Sequence, residues 1–420
     1  MAGNKSEKRV MILVISYLVY VFCYGIVIKL TIFNATIFQI KTIVPELIIC
    51  AVIGYCAVHG LKEFKRIYVL LIIHLFSVFV INYTLHGFNS YIIRDLYLPL
   101  ILFIALTSTF FSEESIDYFF SKMIIFAKLY LILGLILAIV EQKMGWQWTS
   151  VFYTGYQFYG QDPYSKIKIA HNIGMVRAPS LSGNFATFGY YCLICNVIVL
   201  SREKKFKKRM IWNIITVLCI VLATNKSAFI AFCVYLMLEE TLNIRKKNSK
   251  INALIIIIMI FVALFSMLWL TGESSGAATY NGGLLERLNI WKELVSEANY
   301  LEILFPFNQF IYSSGTSGTL GFWDNSYLYS LFSIGVIGVL LGSFSVSEIY
   351  KRIRISNNEY IVFVANYLLV LLLVLGLTVN ITQGRGFLTI FLLIIGVFSS
   401  SNYNVHEEKS NSENYKLNDS

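Results

Sequence analysis

Five basic residues near the ends of long apolar runs have the side-chain chemistry of an anion site. An arginine binds phosphate oxygens through two parallel N–H groups, so two or three arginines together suit a pyrophosphate. Each one alone also has a structural interpretation, such as pairing with a neighbouring aspartate or extending from an amphipathic helix to the membrane surface. The five are Arg94, Arg177, Lys226, Arg287 and Arg385, in IIRDLYLP, MVRAPSLSGNFATF, TNKSAF, ERLNIW and TQGRGF.

Polar and aromatic residues accompany these cations. Ser182 and Asn184 follow Arg177 at the start of an apolar run, where the N–H groups of a helix N-terminus can meet an anion. Trp291 stands four residues after Arg287 and therefore shares its helix face. The sequence thus predicts substrate-binding roles for these residues beside the cations.

Asp324 opens the segment WDNSYLYSLFSIGVIGVL, with Asn325 and Tyr327 beside it as further substrate-binding candidates. A carboxylate at this position can cap the N–H groups of a helix start and interact with the helix dipole. It can also act as a general base on an alcohol, since partial desolvation at a membrane edge raises a carboxyl pKa. The residues alone leave both interpretations open.

The elements that must position these residues are transmembrane helices. The chain is 57% hydrophobic and 14% charged, whereas soluble proteins carry about 25% charged residues. Apolar runs of membrane-spanning length must satisfy their own backbone groups, so they form helices. We predict one all-α polytopic domain over residues 1–400, with about 12 transmembrane helices, and a disordered cytoplasmic tail at 401–420. The spans are expected at 10–28, 42–61, 67–86, 96–112, 123–142, 183–201, 210–224, 227–242, 251–271, 323–347, 358–380 and 385–400.

The positive charge follows the loops rather than a nucleic-acid surface. With both termini cytoplasmic, the inner loops hold 22 Lys and Arg, the outer loops 11, and Lys128 lies within a span, which accounts for all 34. The partner predicted from this pattern is a lipid bilayer, with no nucleic acid. The first span follows Lys5, Lys8 and Arg9 without a cleavage signal, so we predict that it is retained.

Two features of this layout bear on the site. The spans 210–224 and 227–242 are short, and they either cross the membrane or meet partway through it. Two long external loops are predicted at 143–182 and 272–322, the second before the tenth span. That loop contains an amphipathic helix at about 284–299, which can lie on the membrane or cap a cavity.

Several motifs for binding nucleotides and metals are missing, which narrows the classes of reaction that the protein could catalyse. The sequence has no GxxxxGK loop, no HExxH, no paired Cys/His metal spacing and no DxD motif. Cys192 and Cys195 form a CxxC that is interpreted as packing inside a helix. We therefore expect no metal and no cofactor, and a transferred group that arrives on a lipid.

The order of VRAPSLSGNFATFGYY, ERLNIW and WDNSYLYSLFSIGVIGVL resembles the O-antigen polymerase and O-antigen ligase superfamily. The resemblance covers residues 90–400 as architecture, with 40 residues in these three motifs. It implies a glycosyltransferase that uses undecaprenyl-pyrophosphate-linked glycans at the outer face of the bacterial cytoplasmic (inner) membrane. Ligases of the superfamily usually have histidine at the position of Asp324, whereas polymerases often have aspartate. Lys226 stands where the family usually has an arginine. It keeps the positive charge but lacks the two parallel N–H groups (the fork) of a guanidinium.

The expected function is polymerisation of lipid-linked oligosaccharide repeat units into O antigen or capsular polysaccharide, by metal-independent, inverting glycosyl transfer. Asp324 would take the acceptor proton, while Arg177 and Arg287, helped by Arg385 and Lys226, would hold the pyrophosphate. A chain-length regulator and a flippase are the expected protein partners.

Three alternatives remain. A ligase would transfer the finished glycan to lipid A core or protein. A flippase or other transporter would show ionisable residues near mid-span and broken helices, and the sequence offers only His74 and Lys128 of that kind. A purely structural scaffold leaves the external arginines and long loops without a role.

Overall fold

The computed structural model describes residues 2–31, 35–59, 65–86, 97–152, 171–172, 175–242, 301, 304–305, 326–355, 358–378 and 386–400. These residues are 89% helical, which makes the described part of the protein all-α. Its helices are α1 Ala2–Phe22, α2 Tyr24–Thr31, α3 Ala35–Val58, α4 Arg66–His86, α5 Leu98–Thr107, α6 Glu113–Phe152, α7 Phe185–Arg202, α8 Phe206–Leu222, α9 Lys226–Leu242, α10 Ser326–Ile355, α11 Glu359–Thr378 and α12 Phe387–Ser399. The strands β1 His171–Asn172 and β2 Met175–Val176 form a short antiparallel pair.

Apolar helices of membrane-spanning length identify a membrane protein. Four helical segments are long and apolar enough to cross a bilayer: Glu113–Gly145, Phe185–Arg202, Ser330–Ile353 and Glu359–Gly376. Along α6, exposed apolar side chains recur at helical spacing, as a lipid-facing helix requires and a water-facing one does not. These side chains are Ile125, Leu129, Ile132, Leu133, Ile136 and Ile139.

One end of the bundle is defined by Glu7, whose carboxylate accepts hydrogen bonds from Ser112 N at 2.9 Å and from Ser115 Oγ at 3.0 Å. The C-terminal end of α12 lies there too, because Phe111 N donates to Ser400 O at 3.0 Å. We call this the Glu7 end. Tyr55 beside Phe111, Arg202 paired with Asp117, and Arg352 bonded to Thr107 O lie at the same end, and most of the described Lys and Arg residues lie towards it.

The opposite end carries Arg177, and we call it the Arg177 end. The contacts that join α6, α8 and the turn before α7 are found there, since Ala178 N donates to Leu222 O at 3.1 Å. Helices α6, α7 and α8 run in alternating directions between the two ends, as the predicted order of these spans requires. The number of membrane crossings stays a prediction.

Helices α1, α6 and α7 share an aromatic core. The Phe22 ring lies 5.3 Å from Tyr130 and 4.7 Å from Tyr191, and Tyr130 in turn lies 6.2 Å from Phe188. Aromatic pairs at these separations add packing energy beyond simple burial. This core packs against the first two turns of α7, at Phe188 and Tyr191.

Helix α8 reaches both ends of the bundle. Near its start, the Trp212 ring lies beneath Lys128 Nζ, which also pairs with Glu203 at 2.8 Å. Midway, Asn196 of α7 donates to Thr216 Oγ1 at 2.7 Å, a polar contact of the kind that joins helices in membranes. At its last residue, α8 contacts the turn at Ala178. Whether the segment 210–224 crosses the membrane or ends partway through it stays a prediction.

Several boundaries differ from those predicted. The helix of the first span begins at Ala2 and ends at Phe22, where Tyr24–Thr31 continues as a separate helix. The predicted loop 143–182 begins as helix, because α6 continues to Phe152 across a non-helical Gly145. The tenth helix starts at Ser326, close to the predicted 323, but it is interrupted at Gly335.

Other predictions lie outside the described residues. These are the span 251–271, the amphipathic helix at 284–299, the tail 401–420, and nearly all of the loop 272–322. Of that loop, the structure describes only residues 301, 304 and 305.

Candidate functional site

Arg177 lies on a turn whose backbone is fixed on both sides. The side-chain amide of Gln142, three residues before the non-helical Gly145 of α6, bonds the backbone of Val176 in both directions, donating to its carbonyl and accepting from its N–H. Ala178 N is bonded to Leu222 O of α8 at 3.1 Å. The residues before and after Arg177 therefore cannot move independently of α6 and α8.

Glu141 holds the same turn from within. Its side chain is fully buried, and Oε2 accepts the Ser180 N–H at 3.0 Å. Ser180 has a φ of 45°, which is uncommon for a non-glycine residue, and its Oγ donates to Gly134 O at 2.8 Å. A buried carboxylate is costly unless it is bonded, so Glu141 marks a place where the fold depends on a polar contact.

Sequence reasoning missed both Glu141 and Gln142. They are the last two residues of the predicted span 123–142, in IVEQKMG, where polar side chains are common and do not by themselves indicate a site. The available signal is the carboxylate of Glu141 inside an apolar span, because an ionisable side chain there needs a bonded partner. Their partners lie about forty residues later in the chain, and sequence spacing alone does not reveal that contact.

The turn also rests directly on the start of α2. A Cβ placed on Gly25 would lie 2.5 Å from both Gly183 Cα and the Ser182 carbonyl carbon, so backbone meets backbone here. Gly183 has a φ of 75°, a conformation that glycine adopts without steric cost. Two glycines are thus required for this close approach.

The guanidinium of Arg177 stacks on an aromatic ring. Its Cζ lies 3.4 Å from the centre of the Phe185 ring, the first residue of α7, and the side chain is half-buried. Stacking uses the flat face of a guanidinium, whereas its hydrogen bonds are made in the plane. This arrangement sets the direction of the N–H fork while keeping the charge at the N-terminus of a helix.

Asn184 caps α7, and Ser182 is bonded to Asn184. Asn184 Oδ1 accepts from Ala186 N at 2.8 Å and from Thr187 N at 3.3 Å, which is the geometry of an N-cap. Ser182 Oγ donates to Asn184 O at 2.7 Å. The N–H groups of Ala186 and Thr187 are therefore bonded within the protein. The predicted role of Ser182 and Asn184 in substrate binding stays a prediction.

Lys226 is brought to the same place by its neighbour Asn225. The buried Asn225 side chain donates to Ala186 O at 2.7 Å and accepts from Ala228 N at 3.0 Å, so it joins the first turns of α7 and α9. Gly189 leaves room for it, because a Cβ there would lie 2.8 Å from Asn225 Nδ2. The exposed Lys226 therefore begins a helix that is bonded to the helix beside Arg177.

Tyr327 lies at the same end of the bundle on α10. Its hydroxyl donates to Leu373 O of α11 at 2.8 Å, and its ring packs over Gly376, where a Cβ would approach to 3.2 Å. The side chain therefore ties two helices together. Its predicted role in substrate binding stays a prediction.

The structure brings together Arg177, Ser182, Asn184 and Lys226 on adjoining turns. The remaining predicted site residues lie outside the described residues, and their positions stay predictions; they are Arg94, Arg287, Trp291, Asp324, Asn325 and Arg385. What the described part offers chemically is two cations at the starts of two neighbouring helices, which is an arrangement that favours anions.

Comparison with known proteins adds no assignment. No protein-family model matches the chain, and no curated protein matches it. The resemblance to the O-antigen polymerase and ligase superfamily therefore depends on the motifs quoted above, and the function follows from the site as a proposal.

Proposed function

We propose that the protein binds a polyprenyl-diphosphate-linked glycan at its Arg177 end and polymerises lipid-linked repeat units there. The observation that carries the anion site is the stacked Arg177 guanidinium on its fixed turn, joined through Asn225 to the helix that begins with Lys226. A site that holds a diphosphate needs fixed cationic donors, since donors that are already in place do not have to be reorganised as charge develops.

The sidedness of the site follows from the charge distribution. Lys and Arg residues of the described chain gather towards the Glu7 end, and positive charge marks the cytoplasmic side of a membrane protein. The Arg177 end would then face the outer side of the bacterial cytoplasmic membrane. A lipid-linked glycan that has been flipped outward is presented on that side.

The proposed reaction is a single displacement at the anomeric carbon of the growing chain. The acceptor hydroxyl of an incoming lipid-linked repeat loses its proton to Asp324 as its oxygen bonds to that carbon. The bond from the anomeric carbon to the diphosphate oxygen breaks, and the polyprenyl diphosphate leaves with the electron pair. The configuration inverts, and Arg177, with Lys226, stabilises the negative charge on the leaving group.

A purified-protein assay tests this function. The protein in liposomes is given synthetic undecaprenyl-diphosphate-linked repeat units and no other acceptor, and the products are sized by mass spectrometry. We expect products of two or more repeats, and Asp324→Ala protein that inserts normally is expected to give only single repeats. Transfer that needs added lipid A core or protein would instead identify a ligase.

A second candidate is supported by one observation. Transporters often contain discontinuous helices with a polar group near mid-membrane, and α10 is broken at Gly335 beside the buried His74 of α4. A flippase would move the lipid-linked unit across the same liposomes without lengthening it. Protection of the glycan from an external glycosidase, measured in the same preparation, separates flipping from polymerisation.

A further inference from the structure

Helix α10 is interrupted within its apolar part. Gly335 has φ 72° and ψ 171°, a backbone conformation that is essentially restricted to glycine. The interruption separates a half-helix, Ser326–Ile334, from the remainder of α10. Each helical carbonyl bonds the N–H four residues later, so carbonyls just before the break lose their usual partners.

His74 of α4 replaces one of those partners. Its Nε2 lies 2.7 Å from Ile334 O, and because a carbonyl only accepts, Nε2 is the donor. The imidazole is buried, with 6% of its surface exposed. A backbone carbonyl without a partner is costly in an apolar environment, so this bond stabilises the broken form of the helix.

The surroundings of the imidazole fit this role. A Cβ on Gly338 would lie 2.9 Å from His74 Nε2, so the ring occupies space that only a glycine leaves open. On another side the Phe305 ring meets the imidazole edge-on at 5.2 Å. Phe305 belongs to the predicted loop 272–322 before α10, so this contact connects that loop to the break.

Two backbone arrangements are available to α10. Gly335 adopts ordinary helical angles as readily as its observed ones, and a continuous helix would return Ile334 O to the N–H of Gly338. The broken form needs the imidazole, and the continuous form does not. The two forms differ in the direction of the half-helix that carries Tyr327, which is the property of a two-state hinge.

We propose that Gly335 is a hinge and that His74 is a positioning residue, whose hydrogen bond to Ile334 O sets the direction of the half-helix Ser326–Ile334. The half-helix begins two residues after Asp324 in the sequence, so its direction bears on the predicted base. The proposal goes beyond the proposed function, because a transferase and a transporter would both be affected by such a hinge.

A distance measurement tests the hinge without any substrate. Spin labels are placed at Ser330→Cys and at the exposed Phe344→Cys, with Cys23, Cys50 and Cys233 replaced by serine because they are the described cysteines that are not buried. In a continuous helix the 14 residues between the labels span about 21 Å. We expect a different main distance in the otherwise native protein and a shift towards the continuous-helix distance in His74→Leu.

Further variants separate the hinge from general destabilisation. Gly335→Ala disfavours the positive φ, and Gly338→Ala displaces the imidazole; both are expected to shift the distance as His74→Leu does. His74→Gln retains an N–H donor and is expected to restore the native distance. Gly342→Ala is the matched control on the same helix, since a Cβ there meets no atom within 4 Å.

The outcomes are decisive in each direction. An unchanged distance in both His74→Leu and Gly335→Ala would overturn the proposal, and so would an equal shift in Gly342→Ala. If His74→Leu does not fold, the two glycine variants carry the test. A polymerisation assay that fails while the labels still shift would remove the proposed function and leave the hinge intact.

Discussion

The turn that carries Arg177 and the break at Gly335 are both irregular backbone inside a helical bundle, and they are held in different ways. The turn is bonded to α6 through Glu141 and Gln142, to α8 through Leu222, and to α2 through a glycine contact. At the break, one imidazole bonds the carbonyl that precedes Gly335.

This difference separates a fixed part from a movable part. Several independent contacts keep a segment in place when any one of them is lost. The break has fewer: the imidazole at the Ile334 carbonyl, and the contact of Tyr327 with α11 at the start of the half-helix. A diphosphate site benefits from donors that do not move. A half-helix that admits a long lipid-linked chain benefits from the opposite property.

The largest effect is expected from Gly25→Ala, which tests how rigidly the turn is held. The new Cβ would lie 2.5 Å from the Gly183 Cα, and neither backbone can retreat because both are packed. We expect a loss of more than about 3 kcal/mol in stability, measured by thermal unfolding in detergent. Gly54→Ala is the control, because a Cβ there meets no atom within 4 Å. A Gly25→Ala protein as stable as this control would show that the turn gives way easily.

The next effect concerns the cation that the turn presents. Arg177→Lys keeps the charge but loses both the fork and the flat face that stacks on Phe185. We expect kcat/KM for chain extension to fall about 100-fold, or about 2.7 kcal/mol, with little change in thermal stability. Lys226→Arg is the matched control, since it keeps the charge and adds a fork, and it is expected to retain activity. Normal chain length from Arg177→Lys would remove Arg177 from the diphosphate site.

The sequence predicted one side of this comparison better than the other. The start of α7 was predicted at 183 and is observed at Phe185, because Asn184 is a strong N-cap that is visible in the sequence. Arg177 and Lys226 were predicted from another local feature, since both are positive charges at the ends of apolar runs. Local propensity and charge therefore identify helix ends and the residues exposed there.

What the sequence could not show depends on contacts between distant segments. The break at Gly335 lies in SIGVIGVL, which has the sequence of an uninterrupted apolar span, and the residue that bonds its carbonyl, His74, stands 260 residues earlier. Glu141 belongs to the predicted span 123–142, and nothing near it in the sequence indicates its hydrogen bond to Ser180. Glycines inside a span are equally compatible with helix packing and with a break, and only the neighbouring helix decides between them.

A smaller effect is expected from Glu141, where two substitutions distinguish the hydrogen bond from the charge. Glu141→Ala leaves the Ser180 N–H without its acceptor and is expected to cost about 2 kcal/mol in thermal stability. Glu141→Gln retains a carbonyl oxygen for that N–H and is expected to cost less than about 1 kcal/mol. Equal losses in the two variants would show that the carboxylate charge, rather than the hydrogen bond, stabilises the turn.

The smallest effect is expected from Tyr327→Phe, which removes the hydrogen bond to Leu373 O and keeps the ring over Gly376. The cost in stability should be about 1 kcal/mol. Because Tyr327 lies at the tip of the half-helix, the same variant should also shift the spin-label distance in the direction of His74→Leu, by a smaller fraction of the population. If the distance does not move, the tip is held by other contacts, and the half-helix belongs with the fixed turn rather than with the hinge. If activity falls well beyond the loss in stability while the distance stays native, the hydroxyl acts on substrate, as the sequence predicts.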